Sequence, residues 1–83
     1  MSKFELSYNE KTNKLSEIER RFNSGQVVLL NVNKGSHWVL MNGIEGDKFI
    51  VKDPGYRNIK FYPKSEVCKA ASYSRTSNKI NHL

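Results

Sequence analysis

The sequence predicts an α+β fold, a small antiparallel β-sheet of about four strands with an N-terminal and a C-terminal helix. Three observations carry this expectation. Short apolar runs separated by turn residues recur at 27–32, 37–44 and 48–53. Apolar residues before them fall at helical spacing, with Leu15, Ile18 and Phe22 on one face. After Pro63, the residues Val67, Ala70 and Ala71 would dock a second helix on the sheet.

Residues 1–12 are polar with isolated Phe4, Leu6 and Tyr8, and read as a strand, an arm or a stump; they are set apart as an N-terminal arm. Asn13 or Ser16 can cap the first helix, whose stripe is Leu15, Ile18, Glu19 and Phe22. Ser24-Gly25 ends it, because glycine supplies the left-handed residue that commonly closes helices. The run Val27-Val28-Leu29-Leu30-Asn31-Val32 is rich in β-branched residues and reads as a buried central strand. Asn33-Lys34-Gly35-Ser36 is a turn, and the strand after it, 37–44, is apolar on both faces. Glu45-Gly46-Asp47 is a hairpin loop leading to a third strand at 48–53, which Pro54-Gly55 closes. A short fourth strand covers 59–62, a helix starts at Lys64-Ser65, and residues 13–73 make up the sheet domain. The polar, basic stretch 74–83 is expected to be a flexible tail.

Eighty-three residues make one small domain that buries only about 60% of its unfolded surface. With 37% hydrophobic and 27% charged residues and a mean hydropathy of -0.66, its core is thin and a partner, in cis or in trans, is expected. A lone cysteine, Cys68, excludes an internal disulfide framework, and one thiol with two histidines cannot close a zinc site unaided, so neither a structural metal nor a cofactor is expected. No window approaches the roughly 20 apolar residues of a membrane helix, and Met1-Ser2-Lys3-Phe4-Glu5 lacks a signal-peptide core; a soluble, cytoplasmic protein is the expectation. Fourteen basic residues against eight acidic ones give a net charge of +6. They are spread along the chain rather than gathered in a stripe, which argues against nucleic acid as the partner.

One relation carries chemistry. A histidine opens one strand and an aspartate closes the next. With a three-residue loop, Ile44 faces Lys48, and His37 lies opposite Gly55 and diagonal to Asp53, about 7–8 Å away in backbone terms. A carboxylate on one imidazole nitrogen fixes the tautomer and leaves the other to act as a general base toward a thiol. The same register puts Val39, Met41, Phe49 and Val51 on the His37 face, whereas a two-residue loop would set His37 and Asp53 on opposite faces. Trp38 alternates to the face away from His37, where core packing is favoured over substrate contact. Cys68, on the second helix, reads as a small buried thiol, and Gln26 as structural.

The order helix, Ser24-Gly25, apolar strand, Gly35-Ser36-His37-Trp38-Val39-Leu40, Gly43, Gly46-Asp47, Val51-Lys52-Asp53-Pro54-Gly55-Tyr56 and Ser65-Glu66-Val67 resembles the bacteriocin-processing, double-glycine peptidases, family thirty-nine of the cysteine peptidases. The resemblance covers about 70% of the chain, from Leu15 to Tyr73, and corresponds to the C-terminal, histidine-bearing half of a papain-like fold. It implies that His37 is the family's catalytic histidine and Asp53 its orienting partner, with Gly35, Ser36, Trp38 and Tyr56 around them as candidate binding residues. The family's nucleophilic cysteine, on an N-terminal helix after an oxyanion-hole glutamine, has no counterpart in residues 1–36, and Cys68 follows the histidine, where the family places no nucleophile.

Three functions compete. The first is a domain without its own nucleophile that binds a peptide or protein, the nucleophile-bearing half or a second copy among the candidates. The second is a piece of a working cysteine peptidase completed by a missing segment or partner chain. The third is a small basic protein associated with nucleic acid, for which Lys69, Arg75 and Lys79 speak. By itself the chain is expected not to hydrolyse peptides, since a histidine and an aspartate without a thiol beside them fall far short of covalent catalysis.

Overall fold

The apolar run at the middle of the chain becomes the strand about which the rest is arranged. A computed structural model describes residues 4–52 and 60–77. Its strands are β1 (Phe4–Thr12), β2 (Val27–Val32), β3 (His37–Glu45), β4 (Lys48–Lys52), β5 (Phe61–Pro63) and β6 (Lys69–Ser77). They form one six-stranded sheet in the order β1-β6-β2-β3-β4-β5, antiparallel throughout. One helix, α1 (Leu15–Asn23), packs on one face, and a single 3-10 turn spans Lys64–Glu66.

The α+β class agrees with the sequence reading; the element count does not. Of the strand, arm or stump read for residues 1–12, the strand is what forms: β1 lies at the sheet edge, paired with β6 from Phe4↔Ser77 to Thr12↔Ala70. In place of the expected C-terminal helix, residues 69–77 are the strand β6, inserted between β1 and β2. Alanine favours helix intrinsically, but that preference is worth under about 1 kcal/mol per residue, and tertiary pairing overrides it. Here β6 satisfies the outer edge of β2 through the ladder from Val27↔Tyr73 to Asn31↔Lys69. Small side chains also suit the position: Ala70 and Ser72, both wholly buried, lie on the face that α1 covers. The remaining tail positions, 78–83, and the Asp53-to-Ile59 segment lie outside the described residues.

Of the predicted helical stripe, Ile18 is fully buried and Phe22 packs against the core, whereas Leu15 is exposed and Glu19 forms an ion pair with Lys64 (2.6 Å). The core beneath them is one layer, with Leu30, Val32, Val39, Phe49 and Val51 at its centre. Neither Asn13 nor Ser16 caps α1. The N-cap is Lys14, which makes no side-chain capping bond, and its backbone N–H donates to Thr12 Oγ1 (3.2 Å). Glu17 in the first turn instead complements the helix dipole. The C-terminus closes as the sequence predicts: Gly25 N–H donates to Phe22 O (3.0 Å) and Gln26 N–H to Arg21 O (3.1 Å), with Gly25 at φ +95°.

Arg21 fastens the helix to the sheet. Its Nη1 donates to the Glu10 carbonyl (2.6 Å) and to Ser72 Oγ (3.0 Å), reaching β1 and β6 at once. Its Nε donates to Glu17 Oε2 (2.8 Å), and Arg20 donates through Nε and Nη2 to both oxygens of the same carboxylate (2.9 and 2.6 Å). The bonds from Arg20 first, then those from Arg21, hold the Glu17 carboxyl down at about 2.

Two outcomes follow. Gly25→Ala meets no neighbouring atom, so its cost is the left-handed backbone alone, about 1–2 kcal/mol, read as a drop of several degrees in the unfolding midpoint. A depressed carboxyl contributes stability that is complete above its unfolded value near 4.5 and fades as pH falls toward 2. Thermal unfolding followed by circular dichroism across that window should show less acid dependence in Glu17→Gln than in the wild type; identical acid profiles would sink the assignment.

Candidate functional site

The β2–β3 connection is built from three consecutive left-handed residues, Asn33 (φ 55°), Lys34 (φ 57°) and Gly35 (φ 93°). Gly35 N–H donates to Val32 O (3.1 Å), Ser36 N–H to Asn33 O (3.1 Å), and Ser36 Oγ to the same carbonyl (2.8 Å). Lysine is strained in this region at a cost of about 1 kcal/mol, so something must hold the turn. That is Asn31, 1% exposed, whose Nδ2 donates to the carbonyls of Gly35 (3.1 Å) and His37 (3.2 Å). Two facing carbonyls fix the amide's orientation, since the reverse would set oxygen against oxygen. Its Oδ1 is buried with no hydrogen-bond partner among the described residues.

His37 is thereby placed as the first residue of β3, half-buried, paired with the fully buried Val32. Paired residues share a face, so His37 lies on the α1 side with Val39 and Met41. Gly35 and Ser36 are exposed in the turn beside it. Asp53 and Tyr56 lie outside the described residues, so the His37–Asp53 pair remains a proposal.

The hairpin register resolves the two loop alternatives in an unforeseen way. Glu45 pairs with Lys48, leaving the two-residue loop Gly46-Asp47, with Gly46 at φ 61°. A bulge between Met41 and Gly43 then takes up one residue, Asn42, so Met41 pairs with Val51 and Leu40 with Lys52. Beyond the bulge the register equals that expected of the three-residue loop, and Val39, Met41, Phe49 and Val51 are all buried with the α1-side core. The exposed Asn42 gives no sequence sign of a bulge.

Cys68 corrects its reading as a buried thiol. It is exposed, and its backbone N–H donates to Asn31 O (2.8 Å) just before β6 begins. As β3 and β6 flank β2 on opposite sides, the backbones carrying His37 and Cys68 are two strand spacings apart, about 9–10 Å. The cleft at Cys68 is lined by Asn33, Lys34, Ser65 and Glu66, without the histidine. Gln26 is structural, as expected, its Oε1 accepting from Asn9 Nδ2 (3.0 Å).

Away from α1 the sheet has a second face. The register assigns to it Val27, Leu29, Leu40 and Ile50, ringed by Trp38 (38% exposed), Phe61 (47% exposed) and the tilted ring pair Tyr8–Tyr73 (5.4 Å between centroids, planes at 59°). Trp38 is therefore on the face expected but open rather than packed. The same face carries Lys48, 4.3 Å above the Phe61 ring, with Lys52 and Lys69, while Lys11 Nζ donates to the Tyr8 phenol oxygen, Oη (3.0 Å). Sequence reasoning missed this gathering because lysines at 11, 48, 52 and 69 are distant in the chain; only the alternation Lys48-Ile50-Lys52 hinted at it.

Among the described residues no three His, Cys, Asp or Glu side chains are grouped to hold a metal, and no helix is long and apolar enough to cross a membrane. No family model matches the chain, and no match was found among curated proteins or solved structures.

Asn31→Ala should cost about 1–3 kcal/mol and speed amide exchange at Gly35 and Ser36. Asn31→Asp keeps the size but has no donor, so it should be at least as damaging; a neutral Asn31→Asp would show that the Nδ2 bonds do not hold the turn.

Proposed function

We propose that the chain is a cysteine-peptidase-like domain without a nucleophile beside its histidine, and that it works by binding a polypeptide. The observation that carries this reading is the second sheet face, apolar at its centre and left open by α1. A sheet with two apolar faces is completed by a second layer, and an exposed apolar patch rimmed by polar residues marks an interaction surface. The separation of Cys68 from His37 by the width of two strand spacings supports the same reading, because general-base activation needs the thiol within hydrogen-bond reach of the imidazole.

A second reading, a peptidase piece completed by another chain, draws on one specific observation. Past the Asn42 bulge, β3 and β4 keep the register in which the sequence pairs the His37 face with that of Asp53. A thiol brought by a partner would then find an imidazole at the mouth of the sheet.

The test is direct. Incubated with unstructured peptide substrates, the isolated chain should release no new termini, and iodoacetamide should alkylate Cys68 without altering polypeptide binding. Hydrolysis that disappears in Cys68→Ser would overturn the proposal and make the chain an enzyme in its own right.

A further inference from the structure

We propose that the open face is covered by an acidic amphipathic helix from a partner polypeptide. The proposal rests on the binding reading above and names the partner's chemistry.

Shape comes first. Five strand spacings of about 4.8 Å, and a depth set by the five to six residues of the central strands β2 and β4, make a surface of roughly 24 by 17 Å, or about 400 Å². A helix of about 16 residues crosses 24 Å at 1.5 Å per residue. On the opposite face the same sheet already accepts a helix, α1, through a layer of aliphatic side chains. The centre of the open face, Val27, Leu29, Leu40 and Ile50, offers matching chemistry for a Leu-rich stripe, with Trp38 and Phe61 as walls.

Charge selects among occupants. Lys11, Lys48, Lys52 and Lys69 lie on or beside this face, and Glu45 is the one acidic residue that the described register places there. Two copies meeting through it would bring lysines against lysines in a chain already at +6. Single-stranded nucleic acid also favours lysines with aromatics, but it stacks successive bases on neighbouring rings. Here Trp38 and Phe61 lie two strand spacings and about four residues apart, roughly 16 Å, and the adjoining rings of Tyr8 and Tyr73 are tilted at 59° rather than stacked. Leu40 and Ile50 lie between them, with Lys52 beside Leu40. A helix with an apolar stripe and flanking glutamates satisfies both centre and rim.

The test uses an 18-residue synthetic peptide with leucines at helical i, i+3, i+4, i+7 spacing and glutamates at the flanks, a twin with lysines for the glutamates, and a 20-nucleotide oligothymidylate. Trp38, the one tryptophan, reports burial by a blue shift of its emission. The acidic peptide should bind at least about tenfold tighter than its basic twin. In the double variant Lys48→Glu, Lys69→Glu, whose folding is checked by circular dichroism, that preference should vanish or reverse.

Equal affinity for the two peptides, tighter binding of the oligonucleotide, or a doubled mass with a blue-shifted Trp38 in the absence of peptide would each overturn the proposal. Amide shifts confined to the β2–β3 turn, with Trp38 emission unchanged, would overturn the helix assignment while leaving the polypeptide-binding reading standing. No binding of any polypeptide would remove both.

Discussion

The pairing of β6 with β2 is the interaction on which the rest depends. It joins two segments some forty residues apart, from Val27↔Tyr73 to Asn31↔Lys69, and it supplies β1 with its only neighbour in the sheet. Without it, β2 would be an edge strand, the edge being a row of unpaired backbone groups along the most apolar run of the chain. The small residues Ala70 and Ser72 let α1 approach this part of the sheet, and Ser72 Oγ accepts one of the bonds by which Arg21 holds the helix. Strand pairing, helix docking and the placement of the N-terminal strand are therefore linked through β6, whose pairing across some forty residues carries a loop-closure cost.

From that frame the histidine end of the sheet follows. Asn31 sits on β2 between Lys69 of β6 and Trp38 of β3, and its backbone oxygen accepts from Cys68 while its side chain ties down the turn before His37. A polar residue in a buried strand is costly in a chain with a thin core; the two Nδ2 bonds offset part of that cost, while Oδ1 has no partner among the described residues. Its return is a fixed start for β3. The three left-handed residues of the turn and the position of His37 are coupled through this one amide.

Much of this was legible in the sequence wherever a local signal agreed with the tertiary outcome. The β-branched run of β2, the alternation in β4 and the Ser24-Gly25 helix stop each carry their own physical reason, and each stands where the sequence put it. What escaped was non-local. Ala70 and Ala71 prefer helix until a strand partner is known, and that partner lies in the first half of the chain. The Asn42 bulge reverses the consequence of a two-residue loop without leaving a mark in composition. Lysines dispersed in sequence become neighbours only through strand order, so their dispersal was a poor guide to surface charge.

The two faces of the sheet divide the proposed roles. His37 and its apolar neighbours Val39 and Met41 belong to the face under α1, whereas Trp38, Leu40 and the lysines belong to the face without a helix. Alternation along β3 enforces this division: consecutive residues cannot serve the same surface. A partner that covers the open face would bury Trp38 without displacing α1 and without touching the aliphatic layer beneath His37. Binding and any residual chemistry are thus physically separable in this fold, and loss of a nucleophile would leave the binding face intact. The side chains that hold the sheet and its core together are distinct from those of the open face, so that substitutions on either surface can be made without disturbing the other.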